Sequence, residues 1–345
     1  MVGSIKRVMR VATWAFLAVN LAGTPAWAQI DDGAGTAGFT FLTIPQSARL
    51  VALGTAAVAD VSDEAAFQLN PAGFAQQRLR HWSATYANLF TDVQSGFLTY
   101  SQAVGMETTV GAALTYLSSG GIPKRGLLNE DLGTYSFSDA ALTLSVGTRV
   151  VGSPDTLSAR LKRRLKKSVG FRLDAGVSVK GIYEKLDIYS ASGFAVDLGV
   201  LAHLPDDRTR LGLSVINLGA QTSAFIEEAD DLPVAFITGL RHELREAPLL
   251  VTADLRVPTD NKVRFGVGGE LKLGATRNRP APLALRAGYS SQGRDLKTTA
   301  EGSGIAGFSF GLGVRWRTLL LDYSFTPGLG LGTLHRFTLA GNVGS

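Results

Sequence analysis

Residues 262–273 read KVRFGVGGELKL, and this stretch decides the fold class. Alternate positions hold Val263, Phe265, Val267, Leu271 and Leu273, while the positions between them hold Lys262, Arg264, Glu270, Lys272 and two glycines. A period of two predicts a β-strand, because successive side chains of a strand point to opposite faces of the sheet. One face is apolar and the other carries charges, which is the pattern of a barrel wall whose outer face meets lipid.

The same alternation recurs almost to the C-terminus. In residues 171–183, Leu173, Val177 and Val179 alternate with Asp174, Ser178 and Lys180. Further segments lie at 94–104, 108–118, 133–149, 191–203, 209–217, 232–241, 248–257, 282–290, 304–316, 318–325 and 333–341, and the first begins at residue 81. The sequence therefore predicts an all-β protein, a transmembrane antiparallel β-barrel of about fourteen strands, each near the ~10 residues that a tilted strand needs to cross a bilayer.

The connections between these segments alternate in length. Short ones lie at 105–107, 205–207, 243–247 and 316–317, and long ones at 119–132, 218–231 and 291–303. Outer-membrane barrels have short periplasmic turns and longer extracellular loops, which places the N-terminus in the periplasm. Residues 152–168 break the rule, because they are long and basic on the periplasmic side. A helix on anionic headgroups and a solvated loop both remain open there.

The first residues predict export. Lys6, Arg7 and Arg10 precede an apolar run, and Ala26-Trp27-Ala28 ends it, which predicts a signal peptide cleaved after Ala28. Those three cations account for three of the five net positive charges, so about +2 remains and no nucleic-acid partner is expected. The chain contains no cysteine, which excludes disulfides and thiolate metal sites. We expect the outer membrane of a Gram-negative-type bacterium, with its lipid as one partner.

Residues 29–80 lack sustained alternation and predict a compact, irregular segment ahead of the barrel. The expected domain organisation is therefore a signal peptide (1–28), an N-terminal hatch segment (29–80) and the transmembrane barrel (81–345). Residues 48–58 are expected to include one or two helical turns that end at Asp60.

Two segments match the sequence of a catalytic or nucleotide-binding motif but lack the predicted structural context that the motif requires. Residues 33–38 fit G-x-G-x-x-G without the strand and helix that a nucleotide site needs. Residues 307–311 fit G-x-S-x-G, but the alternation continues through them and places Ser309 mid-strand, facing inward. No histidine has a neighbour at metal-ligand spacing. We expect no catalytic residue, no metal and no cofactor, and therefore no enzyme; a lipid hydrolase built on Ser309 is the third class considered.

Charges on the inward positions are the most consistent polar signal. They include Arg172, Asp174, Asp254, Arg264, Glu270, Arg286, Arg315 and Asp322. Both signs occur in similar number, so a paired network across the lumen is expected. Such a network fills the barrel, holds a plug or lines a wet path, and the sequence does not choose among these.

The segment that begins at Phe41, FLTIPQSARLVALGTAAVADVSDEAAFQLNPAGFA, resembles the N-terminal segment of the PorV/PorQ family of outer-membrane proteins. The likeness rests on Arg49 after Ala48, the small-residue run, and the hatch motif Asn70, Pro71, Ala72 and Gly73. Residues 321–325 and 331–337 also resemble the closing hairpin of that family. The resemblance implies a fourteen-stranded barrel with a hatch inside it, related to the FadL-type transporters.

Two functions follow from this resemblance. The first is a PorV-like component of a type IX-like secretion system, with secretion subunits or exported cargo proteins as partners, and the N-terminal likeness favours it. The alternative is a FadL-like transporter of small hydrophobic molecules, which pass the hatch and leave laterally between strands. That alternative needs an apolar pocket at the hatch. Phe39, Phe41, Leu42 and Ile44 are the candidates to line it, and a role in the hatch core is equally open.

Overall fold

The computed structural model describes residues 35–89, 92–152, 171–225, 229–275, 280–296, 305–328 and 332–343. The predicted signal peptide and most of the basic 152–168 connection lie outside these ranges. None of the helices in the described ranges has the length and apolar character needed to cross a membrane.

Sixteen strands occur in the described residues, and fourteen of them close into one antiparallel barrel. Numbered along the chain they are β1 (Arg80–Asn88), β2 (Val93–Ala103), β3 (Thr108–Ser119), β4 (Ile122–Arg125), β5 (Asp131–Tyr135), β6 (Phe137–Val151), β7 (Arg172–Leu186), β8 (Tyr189–His203), β9 (Thr209–Ser223), β10 (Ala235–Glu243), β11 (Leu249–Pro258), β12 (Arg264–Leu273), β13 (Leu283–Ser290), β14 (Phe308–Trp316), β15 (Leu319–Pro327) and β16 (Thr333–Val343). Barrel strands pair in sequence order, β3 pairs with β6, and β1 closes on β16. The predicted fourteen-stranded barrel is confirmed.

The inverted polarity of the wall is also confirmed. On β7, Val179 exposes 52% of its surface, whereas Ser178 and Lys180 expose 1% and 5%. On β16, Phe337 is exposed at 48%, whereas its neighbour Arg336 is exposed at 4%. Apolar side chains face outward and polar ones are buried inside, as lipid requires of a barrel wall.

Two strand predictions differ from the structure. Residues 133–135 do not open a barrel strand, because β4 and β5 form a separate two-stranded sheet outside the barrel. A strand of this hairpin and a strand of the barrel show the same alternation, because a period of two does not specify which strand is the partner. Strand β9 continues to Ser223 instead of ending at residue 217, and β10 begins at Ala235.

Residues 35–79, called the inner segment below, lie against the inner face of the wall. They hold three 3₁₀ helices, η1 (Thr40–Thr43), η2 (Glu64–Phe67) and η3 (Pro71–Gln76), and one α-helix, α1 (Ala48–Ala52); a fourth 3₁₀ helix, η4 (Ser291–Leu296), follows β13. Ser47, Asp63 and Asn70 accept hydrogen bonds from the first turns of α1, η2 and η3. Helix α1 ends earlier than expected, because Gly54 (φ 65°) and Thr55 (φ 62°) are left-handed.

Candidate functional site

The hatch motif fixes the inner segment to the wall. Asn70 is fully buried, and its side-chain amide donates hydrogen bonds to the carbonyl oxygens of Val58 and of Val200 on β8, both at 3.0 Å. Its Oδ1 accepts from the N–H of Ala72 at 3.1 Å. A Cβ on Gly73 would lie 2.0 Å from the carbonyl oxygen of Val61, so this position admits glycine alone without rearrangement. The motif is therefore a structural joint.

Glycines of the wall lie against the inner segment, six of them against its backbone and four against its side chains. We call them the glycine track: Gly111, Gly147, Gly176, Gly199, Gly212, Gly239, Gly266, Gly268, Gly288 and Gly311. On Gly176, for example, a Cβ would lie 2.3 Å from the carbonyl of Pro71, and on Gly268 it would lie 2.4 Å from that of Leu53. Sequence reasoning missed this contact surface. Its signal was present as glycines on the inward positions, two of them in residues 262–273.

Arg49 joins the inner segment to the charged wall. Its guanidinium lies 2.5 Å from Asp60 Oδ2, 2.9 Å from Asp63 Oδ2 and 2.9 Å from Glu270 Oε2 on β12. Glu270 also accepts a hydrogen bond from Arg286 of β13 at 2.6 Å. The same guanidinium donates a second hydrogen bond to Asp322 of β15 at 2.5 Å. These six residues are called the Arg49 cluster.

Electrostatics favour the ionised forms of Arg49 and Asp60. Burial alone would lower the pKa of the Arg49 guanidinium, but Glu270, Asp60 and Asp63 together raise it well above its ordinary value. Burial would raise the pKa of Asp60, yet Arg49 and Arg241 lower it. Since Arg49 exposes only 12% of its side chain, the cluster is a mostly buried ionic link between the inner segment and three strands.

The remaining predicted lumen charges do not join one network. Arg172 and Asp174 form a separate group, 3.2 Å apart, with His203 at 2.9 Å from Asp174. Asp254 accepts the N–H of Val58 at 2.8 Å, so it holds the inner segment. Arg264 faces Arg256 across β12 and β11. The predicted inward positions are correct, and their pairing divides into local groups.

Phe39, Phe41, Leu42 and Ile44 come together at the outer end of the lumen. Phe39 and Phe41 expose 1% and 3% and are core residues; Leu42 and Ile44 are half-buried at the margin. The upper apolar cluster is formed by Phe39, Phe41, Leu117, Ala141, Ile182, Ala191, Ala195 and Leu232, with Leu42, Ile44, Leu89, Val93, Phe137 and Phe225 around it. Beneath its edge, Leu42 and Ile44 line a cavity of about 20 Å³, room for one water.

A larger cavity of about 760 Å³, called the vestibule, lies at the opposite end of the barrel, where β1 begins and β16 ends. His81, Arg315 and Thr318 line its mouth, and Ala284 and Gly313 line its wall. The Arg49 cluster lines it as well, through Arg49, Asp63, Glu270 and Arg286. The inner segment thus separates a charged vestibule from the upper apolar cluster, and passage between them requires the inner segment to move.

Hydrogen bonding between β9 and β10 is interrupted beside the upper apolar cluster. Ala235 of β10 pairs with Ile216, so residues 217–223 of β9 have β8 as their one strand partner in the described chain. Residues before Ala235 turn inward instead, where Asp231 accepts the N–H of Gly38 at 2.9 Å. Leu232 then packs in the upper apolar cluster. The wall is therefore closed here by side chains and one inward loop.

Ser309 is the serine of the G-x-S-x-G match. This residue lies on the inner face of the continuous strand β14, exposes 5%, and shares a hydrogen bond of 2.9 Å with Thr326. Ser309 faces inward as predicted, but it is the second residue of β14 and does not lie mid-strand. It also lacks the strand-to-helix turn of a nucleophile elbow. Among the described residues, no three His, Asp or Glu side chains are placed to hold a metal ion.

Comparisons with known proteins identify the fold. No protein-family model matches the chain, and no curated protein sequence does. One similar solved structure is the CymD monoaromatic hydrocarbon channel, 10% identical, with a TM-score of 0.57 over 87% of this chain and 98% of that chain. Another is the Pseudomonas putida toluene transporter TodX, 14% identical, with a TM-score of 0.55 over 85% of this chain and 96% of that chain. At such identities the likeness concerns architecture: the chain shares the barrel fold of these two hydrocarbon channels.

Proposed function

We propose that this protein is an outer-membrane channel for small hydrophobic compounds, with the inner segment as its hatch. The observation that carries the proposal is the position of the upper apolar cluster, above the hatch and directly beside the interrupted stretch of wall between β9 and β10. The fold that it shares with hydrocarbon channels supports the same function. This favours the transport alternative over the secretion role that the sequence favoured.

The path has two parts. A hydrophobic compound enters the upper apolar cluster from outside, displacing the loosely packed side chains at its margin, Leu42 and Ile44. The hatch below is held by polar contacts and glycine surfaces, so it blocks the direct route to the vestibule. In the nearby wall, residues 217–223 of β9 lack pairing with β10, and displacement of the inward loop at Leu232 opens a lateral route into lipid.

The first test is uptake. Cells that lack the gene and cells that carry it are supplied with a neutral monoaromatic hydrocarbon or with a small sugar. We expect the protein to accelerate uptake of the hydrocarbon and to leave sugar uptake unchanged. Equal hydrocarbon uptake with and without the protein contradicts the channel proposal.

The second test locates the route. A Cβ on Gly38 would lie 3.1 Å from Cβ of Asp230, close to the ~3.5–4.5 Å of a disulfide. Because the chain has no cysteine, the pair G38C and D230C can be oxidised without competing thiols. Oxidation ties the inward loop to the inner segment and should suppress uptake, and reduction should restore it. The single variant G38C is the control, and full uptake by the oxidised pair would exclude this exit.

A second candidate function rests on the hairpin outside the barrel. Leu127 and Leu128 are almost fully exposed at its tip, at 104% and 90%. Hydrogen bonds from Gly126 and Leu128 to Glu130 order the turn that presents them. Such a tip favours contact with a protein, as the secretion role requires. If L127S/L128S changes the surface display of exported proteins and the wild type does not accelerate hydrocarbon uptake, the secretion role replaces the channel.

A further inference from the structure

Most charged groups buried inside the barrel have an opposite charge beside them. Arg149 lies 3.5 Å from Asp174, Lys180 lies 2.8 Å from Asp197, and Arg286 is paired as described above. Arg336 of β16 differs. It is 4% exposed, it forms no hydrogen bond or ion pair within the described chain, and no acidic group there offsets its burial.

A second unsatisfied group lies next to this guanidinium. Ser324 of β15 stands directly opposite Arg336 in the strand register, and both side chains are on the inner face. Ser324 exposes 1%, and its hydroxyl has no partner in the described residues. Side chains directly opposite in an antiparallel pair have Cβ atoms about 4.5–5.5 Å apart. Two buried donors without acceptors are thus adjacent on the wall.

On the other side of Arg336 the wall offers no acceptor either. Ala87 of β1 is opposite Arg336 in register and is completely buried. Thr338, the next inward position toward the periplasm, is committed, because its Oγ1 accepts the N–H of Ala48 at 3.0 Å and bonds to Thr85 at 2.7 Å. The next inward position toward the outside is Leu334, which is buried.

An isolated buried ion is costly, and a bound counter-charge offsets much of that cost. Guanidinium N–H groups and a hydroxyl are donors suited to a singly charged anion, and charge-assisted bonds of this kind are strong. One cation does not match a dianion such as sulfate or hydrogen phosphate. We propose that Arg336 and Ser324 form a buried binding site for a singly charged anion.

The anion has two sources with the same chemistry: a free halide, or the carboxylate of an organic compound inside the lumen. In the second case the carboxylate lies at Arg336 and the apolar part extends toward Leu334, away from the polar contacts of Ala48. That version rests on the proposed function, since the compound must enter the lumen. The halide version does not depend on it.

The test uses the purified full chain in detergent micelles, with sodium bromide titrated against sodium sulfate at constant ionic strength. The melting temperature of the wild type should rise and saturate with bromide. R336M should melt at or above the wild type in sulfate, because the unpaired charge is gone, and should not respond to bromide. S324A should bind on the order of tenfold more weakly, as expected for one lost hydrogen bond.

S309A is the matched control, because Ser309 is an inward-facing serine on the next strand whose hydroxyl already bonds to Thr326. It should respond to bromide like the wild type. Anomalous scattering from bromide-soaked crystals should show a peak between Arg336 and Ser324. An equal response of R336M and the wild type, or no response of the wild type to any singly charged anion, overturns the site.

Sodium octanoate in place of bromide separates the two sources. A response to octanoate that R336M abolishes, and that competes with bromide, assigns the site to an organic carboxylate; a response to bromide alone assigns it to a structural halide. Uptake of a neutral hydrocarbon, measured in parallel, keeps the two proposals apart. Intact uptake without an anion response refutes the site alone, and an anion response without uptake refutes the channel alone.

Discussion

The missing side chain of Gly199 leaves the space that the Asn70 amide fills: a Cβ there would lie 2.0 Å from Asn70 Oδ1. These residues are 129 positions apart, one on β8 and the other at the start of η3. Because Asn70 holds its own helix and the carbonyl of Val200 at once, this contact links the hatch motif to the barrel.

Gly199→Ala should therefore dislodge the hatch motif. The new methyl group overlaps a buried amide with no free space, and overpacking of this kind costs about 1–3 kcal/mol. The free energy of unfolding in urea measures the loss. Gly181→Ala is the control, since Gly181 has no atom within 4 Å of its would-be Cβ. Equal stability of both variants would show that the contact is not rigid.

Asn70→Ala should destabilise through lost hydrogen bonds. It leaves the carbonyls of Val58 and Val200 without this donor, and each buried unsatisfied group costs about 1–3 kcal/mol. Increased protease cleavage within residues 35–79 of the folded barrel reports release of the inner segment. Gln94→Ala, which removes an exposed amide on β2, should leave cleavage at the wild-type rate.

Arg49→Met should weaken the link between the inner segment and the wall most strongly. It leaves Asp60, Asp63 and Glu270 without their shared cation, and breaking a buried ion pair from one side costs about 3–5 kcal/mol. Single-channel conductance in planar bilayers should rise as the vestibule connects to the upper lumen. Arg125→Met is the control, because Arg125 pairs with Asp131 at 3.8 Å on the exposed hairpin, where an ion pair contributes under about 1 kcal/mol. Unchanged conductance of Arg49→Met would show that the glycine track alone holds the hatch.

The free energy of unfolding should fall as the pH rises toward the pKa of Glu64. Burial, and then the neighbouring Asp63, raise the pKa of this carboxyl from 4.5 to about 8. A raised acid pKa means that the folded state prefers the proton, so this contribution is complete below pH 4.5 and is lost as the pH approaches 8. Glu64→Gln keeps a neutral group beside Ser47 and should flatten the urea midpoint between pH 6 and pH 9. A wild-type midpoint that does not fall over that interval contradicts the assignment.

The barrel was predictable because period two is local information. Each strand shows its lipid face in its own dozen residues, and the predicted ends of β7 and β12 lie within three residues of the observed ones. Pairing is not local, which explains why β5 was joined to β6 in the prediction: a strand outside the barrel alternates in the same way. The extension of β9 beyond residue 217 was missed because its small polar residues lack the apolar face.

The sequence predicts which side chains of the site face inward, but it does not predict which residues they contact. The alternation placed Glu270, Arg286 and Asp322 inside, but Arg49, which pairs with Glu270, is more than two hundred residues away in sequence. Arg336 is inward by the same alternation, and its isolation is visible only once the neighbouring strands are in register. The glycine track was missed for a similar reason. An inward glycine indicates a close contact only when the segment that packs against it is known.

The glycine track also has a consequence for assembly in the membrane. Its ten glycines lie on nine strands, from β3 to β14, and each lies against an inner segment that is synthesised before any of them. A barrel that closed first would leave these notches empty and would have to admit the inner segment through a finished wall. Strands that are added while the inner segment is already folded instead meet a surface that sets their register. We therefore expect the N-terminal residues to act as a template for barrel closure, so that a chain without them inserts slowly or in the wrong register.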